Sequence, residues 1–244
     1  MSTSPVSAGD DLLRFAHGRR WTTLLADPPW PFQNSTGKIA PEHKRLWRYS
    51  ILTMDQIQML PVPEVAEERA HLYLWCPNAI LPEGLETMRR WGFTYKANIV
   101  WHKVRKDGHS DGRGVGFYFR NVTELVLFGV RGKGMRTLAP ARSQVNVFET
   151  RKREHSRKPD ELRTIFVERC SPGPFIELFA RGPVGRPDWD AWGDQVDVER
   201  ENERVHPMYR GGEIVRVPHR LKRPAAVKLG QDDKPHPEQV ALAI

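Results

Sequence analysis

The chain has almost no cysteine. Cys76 and Cys170 are its two thiols among 244 residues, far apart and in no paired spacing. That argues against a disulfide scaffold or a cysteine-built zinc site and fits a reducing compartment, with both thiols as core filling. Long apolar runs are missing too. No stretch approaches the roughly 20 residues that a membrane-spanning helix needs, and Met1 to Gly9 has neither the basic start nor the apolar core of a secretory signal. A membrane partner is therefore not expected. His71, His102 and His155 stand at no ligand spacing, so they are read as surface or core histidines and no metal is expected. Hydrophobic residues are 39% of the chain, less than a compact domain usually carries, which predicts polar segments that do not pack.

Acidic residues are scarce where basic ones are dense. The net charge is +8, and between Arg131 and Lys158 nine basic side chains, among them Arg151, Lys152 and Arg153, face only Glu149 and Glu154. A solvated face normally mixes signs, whereas a one-sign block suits a phosphate backbone, whose condensed counterions each contact releases. A solubilising loop is the other reading of the same charges.

Short apolar runs alternate with helical patterns. Residues 1–19 read as a loosely held lead-in. Trp21 to Ala26 is a buried strand stopped by Asp-Pro-Pro, and Gln33 to Tyr49 is a polar, basic loop. Thr53 with Gln56 three residues on predicts a capped short helix ending near Leu60. Strands follow at His71–Cys76, Tyr95–His102 and Thr123–Val130, with a helix capped by Asn78 after the first and a mobile loop, Lys103–Gly116, before the last. Gln144–Phe148 is a further short strand, Pro159 opens a helix to about Arg169, and Pro174–Ala180 is a strand followed by Gly/Pro-rich turns to Gln195. This alternation predicts an α/β sheet, mostly parallel, with helices on both faces over residues 20–196. Residues 197–244, with Pro207, Pro218, Pro224, Pro235 and Pro237, read as a basic tail, disordered or lying on the surface, with room for a hairpin around Gly211-Gly212.

Asp27-Pro28-Pro29-Trp30 ends the first strand. In open α/β sheets, ligands bind beyond the carboxyl ends of the strands. A carboxylate, Asp27, and a backbone carbonyl, that of Pro28, make a pair of acceptors stiffened by tandem prolines. Such a pair is what an aromatic amine needs: it must pyramidalise to become nucleophilic, and acceptors on its two N–H groups oppose the positive charge it develops. Trp30 offers a flat face for a base drawn out of its stack. An ordinary turn at the end of a strand is the plain alternative.

These residues resemble the signature of the mRNA N6-adenosine methyltransferase family, whose bacterial and phage relatives include many that act on DNA. The likeness extends over Trp21 to Gln195. Tyr49 with Thr53-Met54 resembles the family's tyrosine segment, Leu72-Tyr73-Leu74-Trp75 its second strand, and Gly114 to Gly129, with Glu124, its glycine loop and strand. Lys158-Pro159-Asp160-Glu161 and Glu177-Leu178-Phe179-Ala180-Arg181 resemble its two later motifs. Several ordered motifs are far more specific than the tetrapeptide.

The resemblance implies a Rossmann-like methyltransferase fold in which the catalytic loop precedes the cofactor strand, a permuted motif order. It implies S-adenosylmethionine as cofactor and N6 of adenine in nucleic acid as acceptor, DNA before RNA, with Asp27, Pro28, Pro29 and Trp30 as catalytic residues. Lys158 would face the cofactor's carboxylate at a helix N-terminus, while Asp27, Glu177, Arg181, Asp194 and Gln195 would complete its site. Asp194 departs from the asparagine of the eukaryotic members, and Val184 stands where they have a ribose-contacting asparagine. Trp30, Tyr49, Glu124, Arg151, Lys152 and Arg153 would meet the nucleic acid. Glu124 is otherwise a strand-edge carboxylate, and Lys158 and Arg181 members of the basic track. A homodimer or a partner subunit, and a cytoplasmic bacterial or phage-type protein, are what such relatives imply. A catalytically inactive nucleic-acid-binding subunit is the reading from another class, and the intact Asp27–Trp30, Lys158 and Arg181 speak against it.

Overall fold

The computed structural model describes residues 7–31, 52–112, 118–151, 158–193 and 196, and the backbone of 205–210 and 213–218. Seven strands form one mixed sheet: β1 (Trp21–Ala26), β2 (Ala66–Cys76), β3 (Thr94–Val104), β4 (Thr123–Arg131), β5 (Val147–Arg151), β6 (Phe175–Leu178) and β7 (Trp189–Trp192), in the order β5-β3-β4-β2-β1-β6-β7. β4 alone runs against its neighbours β2 and β3; the other pairings are parallel. β1 lies in the middle, with Ala26 beside Leu74 of β2 and Leu178 of β6. The chain leaves β1 towards β2 but leaves β6 towards β7, so the strand order reverses between β1 and β6. A crevice opens at such a point, beyond the carboxyl ends of the strands.

Period-two alternation sorts the core into two layers. Leu24, Ala26, Leu72, Leu74, Ile176 and Leu178 pack on one face against α1 (Ala8–Ala16), α2 (Met54–Gln58), α3 (Val62–Val65) and α4 (Leu81–Arg90). Leu25, Tyr73, Trp75, Trp101, Val126 and Phe175 pack on the other against a helical run, π-helical over Leu162–Val167 and closing as α5 (Glu168–Cys170). Helices thus cover both faces of the sheet, as the alternating pattern predicts.

Thr53 caps α2 with a capping box: Gln56 N donates to Thr53 Oγ1 at 3.2 Å and Thr53 N to Gln56 Oε1 at 2.8 Å. Gly84 lets α4 lie on the end of β2, since a Cβ there would meet Cys76 Sγ. Cys76 and Cys170 are buried free thiols, and burial pushes the Cys76 pKa up to about 12.

Four local expectations are corrected. The lead-in contains α1, with Leu12 fully buried; its amphipathic pattern is only nine residues long and binds through tertiary packing. Asn78 does not cap α4. It opens a 3₁₀ turn (Asn78–Ile80), and its amide donates to Asn121 Oδ1 at 3.1 Å and to Thr123 O at 3.2 Å, tying this corner to the start of β4. The strand expected at Gln144–Phe148 is shifted to Val147–Arg151. The turn region after β6 hides β7, four residues long and too short to show alternation. Its tryptophans and its aspartate hold it: Trp192 Nε1 donates to Asp11 at 2.9 Å, Trp189 Nε1 to Glu168 at 3.0 Å, and Trp21 Nε1 of β1 to Asp190 at 2.8 Å. The loop expected at Gln33–Tyr49 lies outside the described residues. Beyond the sheet, β8 (Val205–Arg210) and β9 (Glu213–Pro218) pair as an antiparallel hairpin around Gly211-Gly212.

A polar chain is buried between β2 and the turn before β6. Ser171 Oγ lies 2.7 Å from both His71 Nδ1 and Tyr73 Oη. His71 is fully buried, and burial lowers its pKa from 6.5 to about 4. The unfolded chain therefore takes up a proton that the folded one refuses, so stability is lost as pH falls from 6.5 through 4. A shift of this size corresponds to about 3 kcal/mol. In urea unfolding, His71→Gln should flatten this acid limb; an unchanged limb would assign it to other groups.

Candidate active site

By alternation along their strands, Asp27, Lys103, Glu124 and Glu177 share the face covered by the π-helical run. β1, β2, β3 and β6 end at this edge, and antiparallel β4 begins there, so Glu124, paired in register with Trp101, sits beside their carboxyl ends. Asp27 follows β1, and its N–H reaches Leu178 O of β6 at 3.4 Å. Lys158 immediately precedes Pro159, at the start of the crossover helix that brings the chain from β5 back to β6.

The Lys158 ammonium donates to both carboxylate oxygens of Asp27, at 2.9 and 3.0 Å, and stands 3.7 Å from Glu124 Oε2. It rests over the Trp75 ring at 5.1 Å. β1 and β4 are separated by β2, a gap of about 10 Å, and the ammonium above Trp75 spans it. Burial works against the charged form of Lys158, but the carboxylates of Asp27 and Glu124 outweigh it and hold its pKa above the ordinary lysine value. Arg181 acts on it in the opposite sense, which puts that exposed guanidinium within electrostatic reach.

The same device recurs on either side. Lys103 Nζ lies 2.5 Å from Glu124 Oε1 and 5.0 Å from the centre of the Trp101 ring. Arg163 donates to Glu177 Oε2 at 2.6 Å and sits 5.3 Å from the Trp189 ring. Cations seated on tryptophans thus alternate with carboxylates across six strands. At the reversal between β6 and β1 two carboxylates, Glu177 and Asp27, are neighbours. Burial raises the Glu177 pKa, Arg163 partly offsets that, and Asp27 and Asp160 add to it.

The tandem-proline turn is closed on itself. Trp30 N donates to Pro28 O at 2.8 Å, using one of the two lone pairs that the carbonyl has to offer. Trp30 is 4% exposed, and its Nε1 donates to Trp75 O at 2.8 Å. Its indole is packed into the core and anchors the turn to β2.

Among the expected site residues, the structure brings Asp27, Glu124, Lys158, Glu177 and Arg181 together. Arg151 ends β5 at the sheet edge, four strands from β1, about 19 Å away. Tyr49, Lys152, Arg153, Asp194 and Gln195 lie outside the described residues. The basic block is divided: Arg131 ends β4 at the opposite edge, donating to Pro63 O at 2.7 Å, whereas Arg151 and Lys158 lie at the site edge. A linear count of charge cannot see that β4 runs away from the site and β5 towards it. Lys103 and Arg163 were missed. Their signal was present: Lys103 shares the face of Trp101 two residues earlier, and Arg163 follows Asp160 by three on a helix.

Comparison with known proteins matches the MT-A70 family model to residues 21–195. The chain belongs to the MT-A70 family. Its seven-stranded sheet, covered on both faces, is consistent with a Rossmann-like methyltransferase fold. Among its relatives, the human N(6)-adenosine-methyltransferase catalytic subunit METTL3 is 31% identical over 180 residues, which are 73% of this chain and 28% of that protein. The type II methyltransferase M.MunI of a Mycoplasma species is 27% identical over 194 residues, 73% of this chain and 78% of that protein. The Drosophila melanogaster non-catalytic subunit METTL14 is 24% identical over 205 residues, 79% and 50% of the two chains. This MT-A70 chain thus spans little more than a quarter of the METTL3 relatives it matches.

Its raised pKa makes Lys158 a poor nucleophile. Acetic anhydride at pH 8, followed by peptide mass spectrometry, should label Lys158 more slowly than exposed Lys96, and Asp27→Asn should speed its labelling several-fold. If that variant left the rate unchanged, burial rather than the carboxylates would govern the amine.

Proposed function

We propose that this MT-A70 chain is an S-adenosylmethionine-dependent methyltransferase acting on N6 of adenine, of the site-specific DNA-adenine type. The observation that carries this reading is the Asp27 carboxylate, set on a tandem-proline turn at the point where strand order reverses and held by Lys158. A carboxylate has about four lone-pair sites, so Asp27 can accept from an N6–H while keeping Lys158. The free lone pair of Pro28 O supports a second acceptor beside it. Together they favour the pyramidal amine and oppose its developing charge. The proton that nitrogen then sheds passes to water or to Asp27.

The donor set fits the cofactor. Lys158 offers a cation for the carboxylate of S-adenosylmethionine, and the neighbouring carboxylates of Asp27 and Glu177 form a negative site for its ammonium and sulfonium. Arg181, Asp194 and Gln195 would hold its ribose and adenosine side. When bound, the cofactor supplies a methyl group on a sulfonium.

Human METTL3 is named an N(6)-adenosine methyltransferase and M.MunI a type II methyltransferase. The resemblance to the family's bacterial and phage members, many acting on DNA, favours DNA, and M.MunI, named a type II methyltransferase, is one relative that supports this choice. RNA is the alternative. The Drosophila METTL14 relative, named non-catalytic, supports a partner subunit, or a binding role without turnover; failure to bind S-adenosylmethionine in calorimetry would favour the latter.

Asp27→Ala should lower methyl transfer by several orders of magnitude, far more than it weakens cofactor binding by calorimetry, because the lost acceptor acts mainly on the transition state. Near-normal turnover would remove Asp27 from the chemistry. Tritiated methyl transfer to matched single-stranded DNA, duplex DNA and RNA should favour DNA; a strong preference for RNA overturns that choice.

A further inference from the structure

Arg163 lies on the π-helical stretch of the crossover, and π-helical turns are rare and recur at functional sites. Glu177 faces it from β6, in register with Leu25 of β1 and on the same side of the sheet as Asp27 two residues later. Arg163 Nη2 donates to Glu177 Oε2 at 2.6 Å, Nη1 lies 3.8 Å from Asp160 Oδ1, and the two side chains of the pair are only 20% and 21% exposed. The Trp189 ring that seats the guanidinium is itself fixed. It stacks on Phe175 at 5.0 Å and 14°, and its Nε1 donates to Glu168, which also accepts from Arg186 at 2.7 Å. The buried Arg163 Nε has no hydrogen-bond partner among the described residues. A buried ion pair adds little to stability over apolar side chains of similar size, and an unmet donor subtracts from it. Stability therefore does not account for the pair. Its place does, at the reversal of strand order where ligands bind.

We propose that Arg163 is a positioning residue of the methyl-donor site, holding the Glu177 carboxylate as a fixed negative charge beside Asp27 for the cationic S-adenosylmethionine. This rests on the reading of the chain as an S-adenosylmethionine-dependent methyltransferase. The groups whose charge acts on Glu177 are Arg163 and Asp160 from the helical run and Asp27 from the end of β1; its register partner on β7 is Ala191. Burial and the two aspartates push the Glu177 carboxyl towards its neutral form, and Arg163 opposes them. Lys158 is engaged by Asp27 and Glu124. Without the guanidinium, Glu177 would hold its proton to higher pH, and a neutral acid offers a sulfonium or an ammonium no charge. Donor affinity would then fall at low pH and recover as pH rises.

The test uses the full chain. The side-chain carboxyl of Glu177, labelled with carbon-13 and assigned by its loss in Glu177→Gln, should titrate at higher pH in Arg163→Met than in the wild-type protein, and Arg163→Lys should restore the wild-type profile. In calorimetry, Arg163→Met should raise Kd for S-adenosylmethionine about tenfold or more at pH 6.5 and by clearly less at pH 8.5. Glu177→Gln should weaken binding alike at both pH values, and Arg163→Met added to it should cost little more, because both changes remove one charge. If Arg163→Met gives no folding transition in urea, Arg163→Gln, which keeps a donor but no charge, takes its place with the same expectation. An unmoved Glu177 titration overturns the role. So does a loss of affinity that is equal at both pH values in the uncharged variant, or that Arg163→Lys shares, since the side chain would then be a structural support only. If the wild-type chain binds no S-adenosylmethionine, the function reading fails and this role with it, whatever the Glu177 titration shows.

Discussion

The Lys158 ammonium lies over the Trp75 ring and satisfies two carboxylates that belong to strands on either side of β2. Without it, Asp27 and Glu124 would be half-buried anions facing each other, with Glu177 beside Asp27, in a setting where one unpaired charge costs more than a pair contributes. Without them, burial would drive the lysine towards its neutral form. Each charge is thus held by the others, and the Asp27–Trp30 turn is held with them. That mutual dependence fixes the orientation of Asp27 more firmly than the tandem prolines could alone.

The tryptophans explain how such a row of charge is tolerated beneath a helix. Trp75, Trp101 and Trp189 stand on strands β2, β3 and β7, facing the same layer, and each seats a cation on its ring. A ring face binds a cation without presenting a hydrogen-bonding group that must itself be satisfied. The carboxylates then fall between the cations, and the pattern changes where β6 meets β1, with Glu177 and Asp27 side by side.

Trp30 and the basic block show how much a linear reading leaves to the fold. The Trp30 indole supports the turn from below and donates its N–H to Trp75 O. Arg131 and Arg151 belong to one positive run in sequence but stand at opposite edges of the sheet, because β4 and β5 run in opposite senses.

Much was legible in the chain itself. The Trp21–Ala26 run, the capping box at Thr53 and the strands around Leu72 and Leu125 follow from local periodicity and capping, which need no distant partner. The motif Asp27–Trp30 with Lys158 and Glu177 pointed to the chemistry, because those side-chain types carry it wherever they stand. What the tertiary structure alone decided is adjacency. Lys158 and Trp75 acquire their meaning only when Asp27 and Glu124, 131 and 34 residues from Lys158 in sequence, meet it at one edge of the sheet. α1 and β7 escaped notice for the same reason: segments of nine and four residues are too short to hold themselves, and contacts made across the whole chain stabilise them. Alternation along a strand tells which side chains share a face; only the order of the strands tells which charges meet.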